Sequence, residues 1–522
     1  MGSTLLHAQN SESIKILYDN DVHCYAEGYP VMGGVGDSLR SQGYEVLTVS
    51  CGDYIFGNTL GVVSNGAYIV RLMNAVGYDY VTLGNHEFDY GIAQLKELQK
   101  LSKAEILCCN LVNHEGHRMM TSGVVRKIGG IGVGLIGVAT PTTLTSCNPA
   151  YFRDSEGNIL YNFCSTNLIE VVQGIADSLR GAGADVVIVL SHLGDSENAI
   201  NSTLLIGKTR GIDAVLDGHD HHIIEQRWVA NQEGEPVLLS STGEHFNHIG
   251  VLTVSTFPNH KPIVSSQLLS TYPLHLTKCI NKAVADTLAA LLTGGADRQY
   301  FAHCDATLTA IDERGMRTAR YQESSLGNLI ADAYRIVTGA QIGWVNGGSI
   351  RANLDSGAIS SNELMQVLPF QNQTVLGEVT GQEILDALEM GVRTLPTSSG
   401  GFAQVSGLSY EVNCTIPSSV VLDSTEIFHH VSGARRVYNV RIVSGEGSVA
   451  LEADKIYTIA SSSFTLCNHG DGIGFPHLHV VSKNFGTDAE VLEQYIKQHL
   501  GGKIDKTHAE PQGRIVVHSR DL

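Results

Sequence analysis

Several things are missing from this chain, and each absence narrows what it can be. No apolar run approaches the roughly 18 residues that span a bilayer, so no stretch reads as a transmembrane helix. Proline is scarce, 12 in 522 residues, and there is no low-complexity tract. Collagen-like and disordered classes are thereby disfavoured. Basic residues are outnumbered, 34 Lys and Arg against 53 Asp and Glu, for a formal charge of -19. That balance argues against wrapping nucleic acid or lying on an anionic membrane. Small anionic ligands stay open, because bound cations can reverse the local sign. The ten cysteines show no CxxC or ribbon spacing. Cys108 and Cys109, in the apolar stretch AEILCCNL, read as buried free thiols. The opening MGSTLLHAQN has neither a basic start nor a long apolar run and does not read as a signal peptide. Without one, the N-x-S/T sequons at Asn201, Asn372 and Asn413 carry little weight.

What is present is periodicity, over a length that calls for more than one core. In the first half, short β-branched runs alternate with helical patterns. IKILYDND, EVLTVSCGD, YDYVTLGNH, DVVIVLSHLG and IDAVLDGHD read as strands. Between them Ile69, Leu72, Met73 and Val76, then Ile92, Leu95 and Leu98, recur at helical spacing. The alternation predicts an α/β domain, a sheet core flanked by helices, over residues 13–275. The pattern loosens from 256 to 275. A helix, CINKAVADTLAALL, ended by TGGAD, is then expected to connect the domains over 276–300. An α+β domain is expected over 301–520. It opens on the helix SSLGNLIADAYRIVTG, with Leu326, Leu329, Ile330 and Ala333 on one face. Three glycine-rich loops follow: VNGGSIRANLDSG, SSGGFAQVSG and NHGDGIGF.

The five strands of the first half share a feature. Each ends in side chains that bind metals: Asp21 and His23, Asp53, Asn85 and His86, His192, then His219 and His221. Ligands of α/β sheets bind at the carboxyl ends of strands, where loops from separate segments converge. One such ending is an ordinary loop; five in one domain point to one site. Imidazole, carboxylate and amide without cysteine suit Mn, Zn, Fe or Co. Seven ligands are too many for one tetrahedral ion and suit two ions sharing a carboxylate. Strand alternation is expected to put Asp19, Asp21 and His23 on one face, and likewise His219 and His221, with His222 pointing elsewhere.

The ordered series D-x-H, GD, GNHE, SHLG and GHDH resembles the calcineurin-like metallophosphoesterase superfamily. ESSLGNLIADA, NGGSIRANL, VLPFQN, GGFAQVSG and NHGDGIGF resemble the C-terminal domain of the 5′-nucleotidase family. The resemblance implies an N-terminal metallophosphoesterase β-sandwich flanked by helices and a C-terminal substrate-binding domain. It implies one ion on Asp21, His23, Asp53 and His221, and another on Asp53, Asn85, His192 and His219. It assigns His86, with Asp89 on its other nitrogen, to transition-state stabilisation or leaving-group protonation; Glu87 is expected to be structural. Arg351 is expected to hold a phosphate or carboxylate, Phe402 and Phe464 to clamp a base, and Asp471 to meet the ribose. Asn372 and Arg393 are weaker candidates. Two departures stand out: His221 where relatives often carry Asn or Gln, and Asp19 as an added carboxylate.

The implied activity is hydrolysis of nucleoside 5′-monophosphates by a hydroxide bridging two divalent ions. UDP-sugars, 2′,3′-cyclic nucleotides and dinucleotide polyphosphates are alternatives within the same chemistry. The intact nucleotide-type motifs argue against a sulfate-ester-like substrate. A non-catalytic nucleotide-binding protein is expected to lack His86, Asp89 or Asp53, and all three are present. The resemblance also implies an extracellular or periplasmic setting.

Overall fold

The computed structural model describes residues 12–154, 156–196, 200–257, 260–271, 279–293, 299–423, 426–445 and 447–519. The chain divides into two compact units. One comprises Met1–Thr143 and Tyr151–Gly295; the other comprises Leu144–Ala150 and Ala296–Leu522. The amino-terminal MGSTLLHAQN and the TGGAD glycines at 294 and 295 lie outside the described residues.

Unit 1 is a sandwich of two six-stranded sheets. The first runs in the order Ile263–Ser270, His248–Thr256, Glu12–Asp19, Glu45–Ser50, Tyr80–Thr82, Glu105–Leu107. The second runs Ile223–Ala230, Pro236–Thr242, Ala214–Leu216, Val186–His192, Ile131–Ala139, Gly123–Ile128. All five strands read from the sequence are present, and all five lie in the parallel interiors of the two sheets. Val186–His192 shows why its sequence is almost uninterruptedly apolar. Val186, Ile188 and Leu190 face the sandwich core with Ile14, Ile16 and Leu47. Val187 and Val189 face outward, onto Leu168, Val172 and Ala176 of the helix Leu168–Gly181. A strand covered on both faces cannot alternate.

One strand lies where the pattern loosens. Ile263–Ser270 is an edge strand antiparallel to His248–Thr256, inside the stretch that reads as loosening. Its IVSSQLLS sequence is only partly buried, so the alternation that signals a strand is weak. The helix Lys282–Thr293 is formed, and its Val284 and Leu288 are buried. Among the described residues no helix is long and apolar enough to cross a membrane. None of the ten cysteines is in a disulfide, and Cys108 and Cys109 are buried.

Unit 2 is built on a mixed sheet in the order Ala403–Ser406, Ile342–Asn346, Ile456–Ser462, Thr374–Thr380, His479–Ser482. The helix Ser325–Thr338 begins at Ser324, whose hydroxyl accepts from Gly327 N at 3.1 Å. Its Leu326, Leu329, Ile330 and Ala333 are all buried, as their spacing requires. They share a core with Val491, Leu492 and Ile496 of the helix Asp488–Gln498.

Asp488 sits in the first turn of that helix with 1% exposure; one carboxylate oxygen accepts from Ala489 N and the other has no partner. Burial pushes its pKa up to about 7. The folded carboxyl thus holds its proton more tightly than the unfolded one. Its contribution to stability is complete near pH 4 and is lost as pH rises through 7. The slope over that window is about 1.4 kcal/mol per pH unit. Asp488→Asn should flatten this part of the pH dependence, read as the difference between wild-type and variant urea-unfolding energies at pH 5 and pH 8.

Candidate metal centre

Seven side chains from five strand ends meet in unit 1. Asp21 Oδ1 lies 3.4 Å from His221 Nε2, 3.8 Å from His192 Nε2 and 3.9 Å from His23 Nε2. Asp53 Oδ2 lies 3.1 Å from His192 Nε2 and 3.9 Å from His23 Nε2. Asn85 Oδ1 is 3.0 Å from His219 Nδ1. Every residue expected to bind metal is in this cluster, and Asp21, His23, Asp53 and His192 have at most 1% exposure.

The way the chain brings them together differs from the expectation. The first strand ends at Asp19, so strand alternation does not place Asp21 and His23. Asp21, His23, Asp53, His219 and His221 instead have φ of 51°, 48°, 59°, 84° and 60°. Left-handed backbone costs a residue other than glycine about 1–2 kcal/mol, and such strain persists where surroundings over-determine it. Asp19 is turned away from the cluster. Its carboxylate accepts from Ser50 Oγ at 2.6 Å and from the Tyr78 hydroxyl, and burial pushes its pKa up to about 6. His222 also points elsewhere, to Asp195 at 2.6 Å.

The loops are fixed by hydrogen bonds to buried polar groups. Glu87 accepts from the backbone amides of Asp53, Tyr54, Ile55 and Gly84, at 2.7–3.3 Å. It is structural, and it binds two strand ends into one body. Asn20 donates to Asp21 Oδ2 and to the Gly243 carbonyl, both at 2.7 Å, and its own oxygen accepts from Thr242. Asp53 Oδ1 accepts from the His86 amide at 2.8 Å, which turns Oδ2 toward the imidazoles. Gly84 is demanded by this packing: a Cβ there would come within 2.1 Å of Asp53 Oδ1.

Whether these groups fit a cation follows from their protons. His192 Nδ1 is 2.6 Å from the Cys51 carbonyl and must donate to it. In the neutral ring its Nε2 is then a lone pair; it is buried, makes no hydrogen bond, and faces the Asp53 carboxylate. Although 3.1 Å separates them, that contact lacks hydrogen-bond geometry. His23 Nδ1 faces the Phe56 carbonyl at 3.1 Å and His221 Nδ1 faces Glu244, so when both rings are neutral their Nε2 atoms, 3.2 Å apart, each turn a lone pair to the cluster. Lone pairs from imidazoles and carboxylates converging away from water fit a divalent cation. The charges around these groups point the same way. Burial, partly offset by the charge on His192, pushes Asp21 up to about 8. Burial would lower His192, but Asp53 and Asp21 outweigh it and raise it to about 10. Protons thus gather where a cation would otherwise stand.

His86 borders the cluster. Its Nδ1 is 2.5 Å from Asp89 Oδ2, and its ring stacks on Phe56 at 5.6 Å and meets the His23 edge at 5.2 Å. The pair expected from GNHEFD is therefore formed, with the imidazole held on three sides.

In unit 2 the three glycine-rich loops converge on Asp471. A Cβ at Gly400 would come within 2.5 Å of its Oδ1, and Asn346 Nδ2 donates to its Oδ2 at 2.8 Å. Burial raises its pKa, against the charges of Arg320 and Arg393. Arg320 is the residue the sequence reading passed over. It precedes the ESSLGN helix that drew attention, and nothing local marks it; only the fold puts it beside Gly347. Phe464 packs its ring on Gly470, next to Asp471. Phe402 has no exposed surface, and its ring lies 6.3 Å from Tyr410. Arg351 is largely buried, 6.0 Å from the Phe370 ring. Asn372 gives its carbonyl to Asp488 N at 2.9 Å.

Comparison with known proteins agrees with this architecture. Residues 302–479 match the model of the 5′-nucleotidase C-terminal domain. The trifunctional nucleotide phosphoesterase YfkN of Bacillus subtilis is 25% identical over 96% of this chain; the chain spans only 35% of that protein. A 5′-nucleotidase of Vibrio parahaemolyticus is 24% identical over 99% of this chain and 94% of its own length. A snake venom 5′-nucleotidase of Crotalus adamanteus is 27% identical over 99% and 90%. The crystal structure of a 5′-nucleotidase precursor from Thermus thermophilus superposes with a TM-score of 0.81 at 25% identity, covering 97% of this chain and all of that one. That fold implies divalent metal ions, and the Asp and His clusters of unit 1 are groups that could hold them. Residues 302–479 thus match the 5′-nucleotidase C-terminal domain, and over nearly its whole length the chain is similar to 5′-nucleotidases.

Proposed function

We propose that the chain hydrolyses nucleoside 5′-monophosphates to nucleoside and phosphate, using two divalent cations. The observation that carries this reading is the single cluster of seven ligands with the His86–Asp89 pair at its edge. Asp21, His23, Asp53 and His221 hold one ion; Asp53, Asn85, His192 and His219 hold the other, with Asp53 shared. The ions supply Lewis acidity toward the phosphoryl oxygens and a nucleophilic water near neutral pH.

The protein's own groups do the rest. Asp89 fixes the ring of His86 through Nδ1, so that Nε2 is the atom presenting a proton to the departing oxygen. Arg351 holds an anionic group of the nucleotide, and Asp471 accepts from the ribose. Phe464 and Phe402 stack on the base; for Phe402, what covers its ring has to move aside. Asn372 lies near the base. The relatives' names, 5′-nucleotidase and nucleotide phosphoesterase, support this substrate class. The venom relative supports an extracytoplasmic setting.

Phosphate release from AMP, UDP-glucose and bis(p-nitrophenyl) phosphate, with Mn, Zn, Co or EDTA, tests the reading. Metal-dependent release from AMP is expected, and His86→Ala should lower kcat by about 10²–10⁴-fold. Turnover of the diester alone would move the substrate elsewhere. Arg351→Ala should act differently, raising KM for AMP about 10–100-fold, as befits a charged hydrogen bond of about 1.5–3 kcal/mol. An unchanged KM would remove Arg351 from the substrate site.

A further inference from the structure

The turn Gly243–Phe246 belongs to none of the sequence motifs, yet it is held unusually tightly against the metal cluster. His245 and Phe246 have φ of 57° and 55°, two left-handed non-glycine residues in succession. Strain of this kind persists only where neighbours fix the backbone, and three neighbours do so. The Gly243 carbonyl accepts from Asn20 Nδ2, which also holds Asp21. The His245 amide donates to the Asp21 carbonyl at 2.9 Å. The Phe246 ring fills the space over Gly28, where a Cβ would meet it at 2.2 Å.

What the turn delivers is Glu244. Its carboxylate meets His221 Nδ1 and lies 3.6 Å from His245 Nε2, whose ring in turn stacks on Tyr25 at 3.8 Å. The far nitrogen of His221 is the one facing Asp21 and His23. An imidazole that donates its other N–H to a carboxylate has its tautomer and ring orientation fixed and its ligand nitrogen made more basic.

We propose that Glu244 is a positioning residue that sets the affinity of the ion on Asp21, His23, Asp53 and His221 and leaves the second ion unaffected. The proposal rests on the two-cation reading above. It gives the strained turn a purpose: a flexible carboxylate could not hold His221 in one orientation.

Titration of the metal-free full-length chain with Co²⁺, followed by visible absorption and equilibrium dialysis, tests it. Wild type should bind two ions. Glu244→Ala should weaken one of them by about 10–100-fold and change the other by less than about twofold. Glu244→Gln keeps an acceptor for Nδ1–H without the charge and should lose less. In a His221→Gln background, Glu244→Ala should add no more than about twofold, because its partner is already gone. The metal-free melting temperature should be the same in wild type and Glu244→Ala. Undiminished Co²⁺ affinity overturns the proposal, as does an equal loss at both ions with a lowered metal-free melting temperature. Wild type binding fewer than two ions overturns the two-cation reading beneath it.

Discussion

Asp21 and Asp53 are carboxylates with almost no access to water, set among imidazoles whose facing nitrogens are lone pairs. Burying an anion costs several kcal/mol unless a partner of opposite charge is close. Among the described residues, the charged groups named beside them are His and Asp, with no lysine or arginine. Without a cation, only protons can relieve the arrangement, and the raised affinities of Asp21 and His192 for protons show where they would go. This electrostatic demand is the constraint around which the rest of unit 1 is organised.

The surrounding structure makes that demand persist. Five of the ligand residues hold left-handed backbone, a conformation that relaxes unless it is pinned. Glu87 pins the Asp53 and Gly84 loops, Asn20 pins Asp21 to the Gly243 turn, and backbone carbonyls fix His23 and His192. These partners lie in the turns that follow buried sheet strands, so a shift in one loop would pull on a packed sheet. The second unit follows a parallel logic at smaller scale: Gly400 lets its loop approach Asp471 more closely than a side chain would allow.

Much of this was legible because its signals are local. Strand ends rich in Asp, His and Asn marked the seven side chains that cluster, with His86 and Asp89 beside them, and glycine spacing marked the loops around Asp471. What escaped was written in tertiary contacts. Asp19 falls on the expected alternation but is claimed by Ser50 and Tyr78. Glu244 and Arg320 lie in unremarkable sequence, and their neighbours come from distant segments. The edge strand Ile263–Ser270 has one neighbouring strand and a polar outer face, so its periodicity is faint. Phe402 is expected from its motif to clamp a base, whereas its ring is packed in the core.

The central claim is that Asp53 lies between two cations. Anomalous scattering from crystals grown with Mn²⁺ tests it most directly. The account predicts two peaks about 3.5–4 Å apart, both within bonding distance of the Asp53 carboxylate, one beside His23 and His221 and the other beside Asn85 and His192. A single peak, or two that do not share Asp53, would contradict it.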